Sequence, residues 1–141
     1  MTVPEAPPKP LVTVTTVGGS AVEIRSDHHV VRVDEPEPIG RNTGPDPYEL
    51  LLGALGSCTA ITAQMYAERR GWPLERVVVS LRHERRHADD CATEDGRCER
   101  VYRHVELTGD LDDAQRAKLV DVAGRCPVAR TIKAAVEIVA E

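Results

Sequence analysis

The feature that most limits how this chain can fold is the run "PYELLLGALGSCTAITAQMYAERRG", residues 47–71. Proline is preformed for the first helical position, and Asp46 just ahead of it can cap the exposed amides. Arg69 and Arg70 fall in the last turn, where cations complement the helix dipole, and Gly71 is a natural stop. One long helix is expected. Its apolar residues from Leu50 to Ile61 do not keep to a single stripe, so a soluble chain can carry it only by surrounding it with protein. The rest of the sequence has to supply that cover.

The remainder reads as mixed structure. "LVTVTTV", "AVEIR" and "HVVRV" alternate branched apolar with polar residues across the turn "GGS" and a second polar break, which predicts a three-stranded antiparallel start. "DEPEPIGRNTGPDP" is a loop dense in Pro and Gly that leads into the long helix. "RVVVSLRHERRH" and "CERVYRHVELTGDL" read as two long strands joined through "ADDCATEDGR". "LDDAQRAKLVDVAGR" has helical spacing, and "CPVARTIKAAVEIVAE" opens a helix at Pro127 and closes in the β-prone "VEIV". The order βββ-α-ββ-α-α-β belongs to the α+β class. Residues 1–10 hold four prolines and form a flexible tail, and 141 residues leave room for a single domain over 11–141. With no Phe, one Trp and three Tyr, the core must be built from Val, Leu, Ile and Ala.

A net charge of -5 with both signs interspersed speaks against a nucleic-acid partner, which needs clustered positive charge. The N-terminus lacks the basic start and apolar core of a signal peptide, and no apolar run elsewhere in the chain reaches the roughly 18 residues of a membrane span. These features point to a cytoplasmic protein without a membrane partner. There the four cysteines, Cys58, Cys91, Cys98 and Cys126, stay reduced unless they do redox work or bind metal.

Cys58 sits within the apolar run, as a small buried hydrophobe or as a reagent. Gly53 and Gly56 lie one or two turns before it, and each glycine costs a helix roughly 1 kcal/mol relative to alanine, so something must approach that face closely. Cys126 precedes Pro127 at a helix start, near Arg125 and Arg130. It is either a plain N-cap or a thiol made acidic by the helix dipole and cations. Two thiols of this kind are what peroxide reduction requires. One attacks the O–O bond and becomes a sulfenic acid, and the other condenses with it to a disulfide.

"GPDPYELLLGALGSCTAI", followed some way on by "RCPVARTI", resembles the paired signature of the OsmC/Ohr superfamily, the osmotically inducible and organic-hydroperoxide-resistance proteins. The resemblance covers roughly residues 11–141, closest to the branch with a "GP-x-P-Y-E-L-L" opening. It implies antiparallel sheets wrapped around long central helices in an intertwined homodimer, with sites at the interface. It also implies a thiol peroxidase for organic hydroperoxides, with Cys58 attacking, Cys126 resolving and a lipoyl-type dithiol as reductant, and neither metal nor bound cofactor. Where the characterised peroxidases carry a glutamate that holds a catalytic arginine, this chain has Tyr48, with Glu49 beside it. Arg41 is the basic residue nearest the equivalent arginine position, and Arg25 and Arg32 are further options. Glu49 and Cys58 are nine residues apart, about 13 Å of rise on nearly opposite faces, so they cannot touch within one chain. Glu49 also reads as a first-turn acid that favours the helix dipole. Tyr48, Leu51, Leu52 and Leu55 could line an approach that favours alkyl hydroperoxides.

Two other readings stay open. The chain could be a non-catalytic redox sensor or small-molecule binder that keeps the fold and the thiols. Alternatively, His83, His87, Cys91 and Cys98 could form a zinc-binding hairpin, or the two cysteines a reversible disulfide, although this spacing matches no usual zinc pattern.

Overall fold

The computed structural model describes residues 11–86 and 98–140. The expectations placed on His87 and Cys91 lie outside the described residues. The chain divides into two units, Met1–Leu50 and Leu51–Glu141.

In the first unit, β1 (Thr13–Gly18), β2 (Ala21–Arg25) and β3 (Val30–Val33) form an antiparallel sheet in that order, with Val14 opposite Ile24 and Val22 opposite Val33. The loop after β3 is organised by the buried Asp34. One carboxylate oxygen accepts from the Ser20 hydroxyl and the Glu35 amide. The other accepts from the Arg41 and Thr43 amides and the Thr43 hydroxyl. The Ser20 and Thr43 hydroxyl bonds are foremost in holding the Asp34 carboxyl well below its usual range.

Asp34→Asn should therefore destabilise the protein at neutral pH, because an amide NH2 would face donors whichever way it turned. A depressed carboxyl stabilises the fold above its unfolded value of about 3.9 and loses that contribution as pH falls below it. The gap in melting temperature between wild type and variant should be wide at neutral pH and shrink in acid. A gap that stayed constant would remove Asp34 from the explanation.

The second unit holds the long helix α1 (Pro47–Arg70), which begins at the boundary, and the ribbon of β4 (Leu74–Arg85) paired antiparallel with β5 (Glu99–Gly109). It ends in α2 (Asp113–Gly124) and α3 (Pro127–Lys133). Helix α1 starts and stops where its sequence signals place it, with reciprocal bonds between Asp46 and Glu49 closing a capping box at its start. Asp112 and Gln115 do the same for α2. Ala63, Ala67, Leu74, Leu111, Leu119 and Ala123 build the core of this unit, flanked by Tyr66, Trp72, Val77 and Leu107. The Arg116 guanidinium bonds the carbonyls of Leu107, Gly109 and Leu111, which fixes the turn from β5 into α2.

Two expectations change. The "VEIV" strand does not form: after α3 the described residues carry no regular structure, Ala135 has φ 56°, and Val136 and Ile138 are exposed. β-Propensity makes a strand only where a neighbouring edge receives its hydrogen bonds. Nor is α1 surrounded on every side. Leu55, Gly56, Thr59, Ala63 and Ala67 are buried, whereas Leu51, Ile61 and Met65 remain exposed. By length and composition α1 is apolar enough to cross a membrane, contrary to the sequence expectation, though one face is packed as a core helix.

Candidate active site

Of the two glycines that foreshadow a close approach, Gly56 meets one. A Cβ there would lie 2.7 Å from Leu81 Cδ1 of β4, while the space at Gly53 is open. The missing side chain at Gly56 lets the ribbon lie against the turn of α1 that carries the thiol. Leu55, Cys126 and Ala129 form a second buried cluster, with Cys58, Leu81 and Val128 packed around it. The two thiols far apart in sequence thus meet in a mainly apolar nook. Both are free, Cys126 fully buried and Cys58 half-buried, with Cys58 packed against the cluster that holds Cys126.

Cys126 is the N-cap of α3, with Pro127 in the first turn and no side-chain capping bond. Its sulfur instead has polar partners from several elements. Burial pushes the thiol up, but the Ala129 amide, the Thr59 hydroxyl, the Cys58 thiol and the charge of Arg103 outweigh it, so Cys126 titrates below the ordinary thiol value. Thr59 Oγ1 lies 3.6 Å from Cys126 Sγ and donates to the Leu55 carbonyl at 2.7 Å. Arg103 spans the site, with Nη1 donating to Thr59 Oγ1 at 3.0 Å and Nη2 to the Gly124 carbonyl, also at 3.0 Å.

Arg103 and Thr59 are the residues that sequence reasoning missed. Arg103 had a signal, since "VYRHVEL" alternates Val101, Arg103, Val105 and Leu107 on one strand face and so aims a cation inward among apolar residues. Thr59 directly follows Cys58 as a hydroxyl inside an apolar helix. Of the arginines considered from the sequence, the Arg25 side chain pairs with Glu23 and the Arg32 side chain with the Thr43 hydroxyl, while Arg41 gives its backbone amide to Asp34. Glu49 is held in the capping box with Asp46. Leu55 lies in the thiol cluster, Leu52 is half-buried, and Tyr48 and Leu51 are exposed.

At the far end of the ribbon, His83 Nε2 bonds Glu99, which also receives Arg85 Nε at 2.8 Å. Arg85 and then His83 hold the Glu99 carboxyl below its usual range. Cys98 is disulfide-bonded. Among the described residues no group of three or more His, Cys, Asp or Glu side chains could hold a metal ion.

The family model for OsmC-like proteins matches residues 40–141, a span that includes both thiols. The chain belongs to the OsmC-like family. The OsmC-like fold recurs in solved structures. An OsmC-like protein from Mycoplasma pneumoniae superposes with a TM-score of 0.74 at 21% identity, over 92% of this chain and 91% of that one. The organic hydroperoxide resistance protein OsmC of Legionella pneumophila gives 0.64 at 18% identity, over 92% of each chain. The organic hydroperoxide resistance protein OhrB of Bacillus subtilis gives 0.59 at 22%, over 90% of this chain and 93% of that one. No curated protein matches the sequence.

Proposed function

We propose that this OsmC-like protein is a cytoplasmic dithiol peroxidase that reduces organic hydroperoxides in defence against oxidative stress. The observation that carries the reading is the contact between two free thiols, one reachable from solvent, inside an apolar nook beside a guanidinium. Cys58 is the more exposed sulfur and meets the peroxide first.

The thiol pair also accounts for the protons. With Cys126 as thiolate and Cys58 as its S–H donor, moving that proton to Cys126 frees Cys58 to attack. Cys58 thiolate takes the distal oxygen of ROOH and becomes a sulfenic acid, and Cys126 gives its proton to the departing alkoxide to form ROH. The restored Cys126 thiolate then attacks the sulfenic sulfur and expels hydroxide, which leaves a disulfide. A small dithiol of the lipoyl type reopens it. In this reading Arg103 takes the part that the resemblance offers to Arg41, and Glu49 remains a capping residue. No metal or bound cofactor takes part.

Leu55, Leu81 and Val128 form an apolar wall around the sulfurs, beside the polar partners of Cys126. Leu51, Leu52 and Tyr48 extend that surface along the helix in this reading, so an alkyl or aryl group on the peroxide gains contacts that hydrogen peroxide cannot make. Steady-state turnover with a thiol reductant should show a higher kcat/KM for cumene hydroperoxide than for hydrogen peroxide, by about fivefold or more, since one buried methyl-sized group is worth about 1 kcal/mol. Equal values would remove the apolar-substrate reading. A disulfide that forms without turnover would make the protein a redox sensor instead.

The exposed stripe Leu51, Ile61 and Met65 on α1 supports a homodimer. Cys58 is half-buried on the same helix, at i–3 from Ile61. A second copy laid on this stripe would cover the open side of the thiol.

A further inference from the structure

Thr59 Oγ1 has as many partners as a hydroxyl can serve, and one of them can change its role. It lies within reach of the Leu55 carbonyl, an acceptor, of Arg103 Nη1, a donor, and of Cys126 Sγ, which can be either. A hydroxyl offers one proton and two lone pairs. When Cys126 is a thiol, the arrangement closes in one way. Arg103 occupies one lone pair, the S–H occupies the other, and the hydroxyl proton points to Leu55. When Cys126 is a thiolate it closes in another way, with Arg103 on its lone pair and the hydroxyl proton turned to sulfur. The Leu55 carbonyl loses nothing essential, because it also accepts the helix amide four residues on.

We infer that Thr59 is a rotating hydroxyl switch, held in place by Arg103, that lets Cys126 act in turn as proton acceptor, proton donor and resolving nucleophile. The inference rests on the dithiol reading but concerns how that site is regulated. Thr59 and Arg103 are positioning residues, acting through Cys126 and not on the peroxide. The Arg103 guanidinium bridges Thr59 on α1 and Gly124 at the end of α2, two residues before Cys126, with two parallel N–H groups. A lysine, with no planar fork, cannot span both.

The other groups around Cys126 are few. Helix α1 adds Cys58, β4 adds the apolar Leu81, α2 ends in the Gly124 carbonyl, and α3 supplies the Ala129 amide. Nearby Arg125 is tied to Asp121, and Arg130 is exposed. Loss of the hydroxyl should therefore register directly in the titration of this one sulfur.

The test is a pH titration of thiolate absorbance near 240 nm in Cys58→Ser protein, with the Cys58→Ser/Cys126→Ser double variant subtracted. Adding Thr59→Val should raise the Cys126 midpoint by about one to two pH units, the size expected when one donor to a charged acceptor is lost. Thr59→Ser, which keeps the hydroxyl, should hold the parent midpoint, and Arg103→Met should raise it. Circular dichroism checks that each variant is folded. If Thr59→Val does not fold, Arg103→Met alone decides. A folded Thr59→Val or Arg103→Met titrating with the parent, or a serine variant behaving like valine, overturns the switch. No peroxide is present, so a protein that consumes none but shows these shifts sinks the peroxidase reading and leaves the switch standing.

Discussion

Cys58→Ser should abolish hydroperoxide consumption, with a fall of roughly 10³-fold or more, whereas Cys126→Ser should complete one reduction and then stall. The two outcomes differ because the sulfurs do different work in the proposed cycle. Serine at 58 leaves no nucleophile of comparable strength, and losing the nucleophile costs a covalent catalyst most of its rate. Serine at 126 keeps the attacking sulfur and removes the group that condenses with its sulfenic acid. One equivalent of cumene hydroperoxide should therefore add a single oxygen to Cys58 in Cys126→Ser protein and yield a Cys58–Cys126 disulfide in wild type, both readable by peptide mass spectrometry. Excess peroxide should drive the trapped sulfenic acid on to sulfinic acid. If the wild type instead accumulated oxidised Cys58 without the disulfide, the contact between these two thiols would have no catalytic meaning.

The parts of this site that were legible in the sequence depend on local chemistry. Asp46 and Pro47 start α1, and Gly71 ends it. Cys126 takes the N-cap position of α3, as Pro127 after it signals. Each signal acts over three or four residues, within reach of inspection. The approach of Leu81 to the helix was foreshadowed by Gly56, although the sequence could not say what would fill the space. Features that depend on distant partners were harder to see. The arginine beside the thiols was sought upstream, at Arg25, Arg32 and Arg41, because the resemblance points there. The fold brings Arg103 from β5, whose alternation aims the side chain inward but does not say that the thiols lie on that side. The terminal "VEIV" failed as a strand for the same reason, since its alternation says nothing about whether an edge is free to receive it. The continuous apolar character of α1 led to an expectation of cover on all sides, and the chain provides it on one.

That uncovered face leads to the second large effect: Ile61→Asp should split the proposed dimer while leaving the protomer folded. Ile61 is 57% exposed, Met65 51% and Leu51 45%, on a helix whose opposite face is already packed, so a charge at 61 disturbs no core contact of its own chain. At a two-fold interface the substitution counts twice. Burying an isoleucine contributes about 1.5–3 kcal/mol, so two lost copies cost about 3–6 kcal/mol before the penalty for desolvating two carboxylates. The dimer Kd should rise by roughly a hundredfold to ten-thousandfold, read by sedimentation across a concentration series. Ile61→Val, which keeps the apolar contact, should remain dimeric. Cys58 lies one helical turn from Ile61 and is half-buried, so the split protomer should also lose hydroperoxide turnover as water reaches the sulfur from the opened side. A wild type that is already monomeric at working concentrations, or an Ile61→Asp monomer with undiminished turnover, would show that the active thiol needs no second copy.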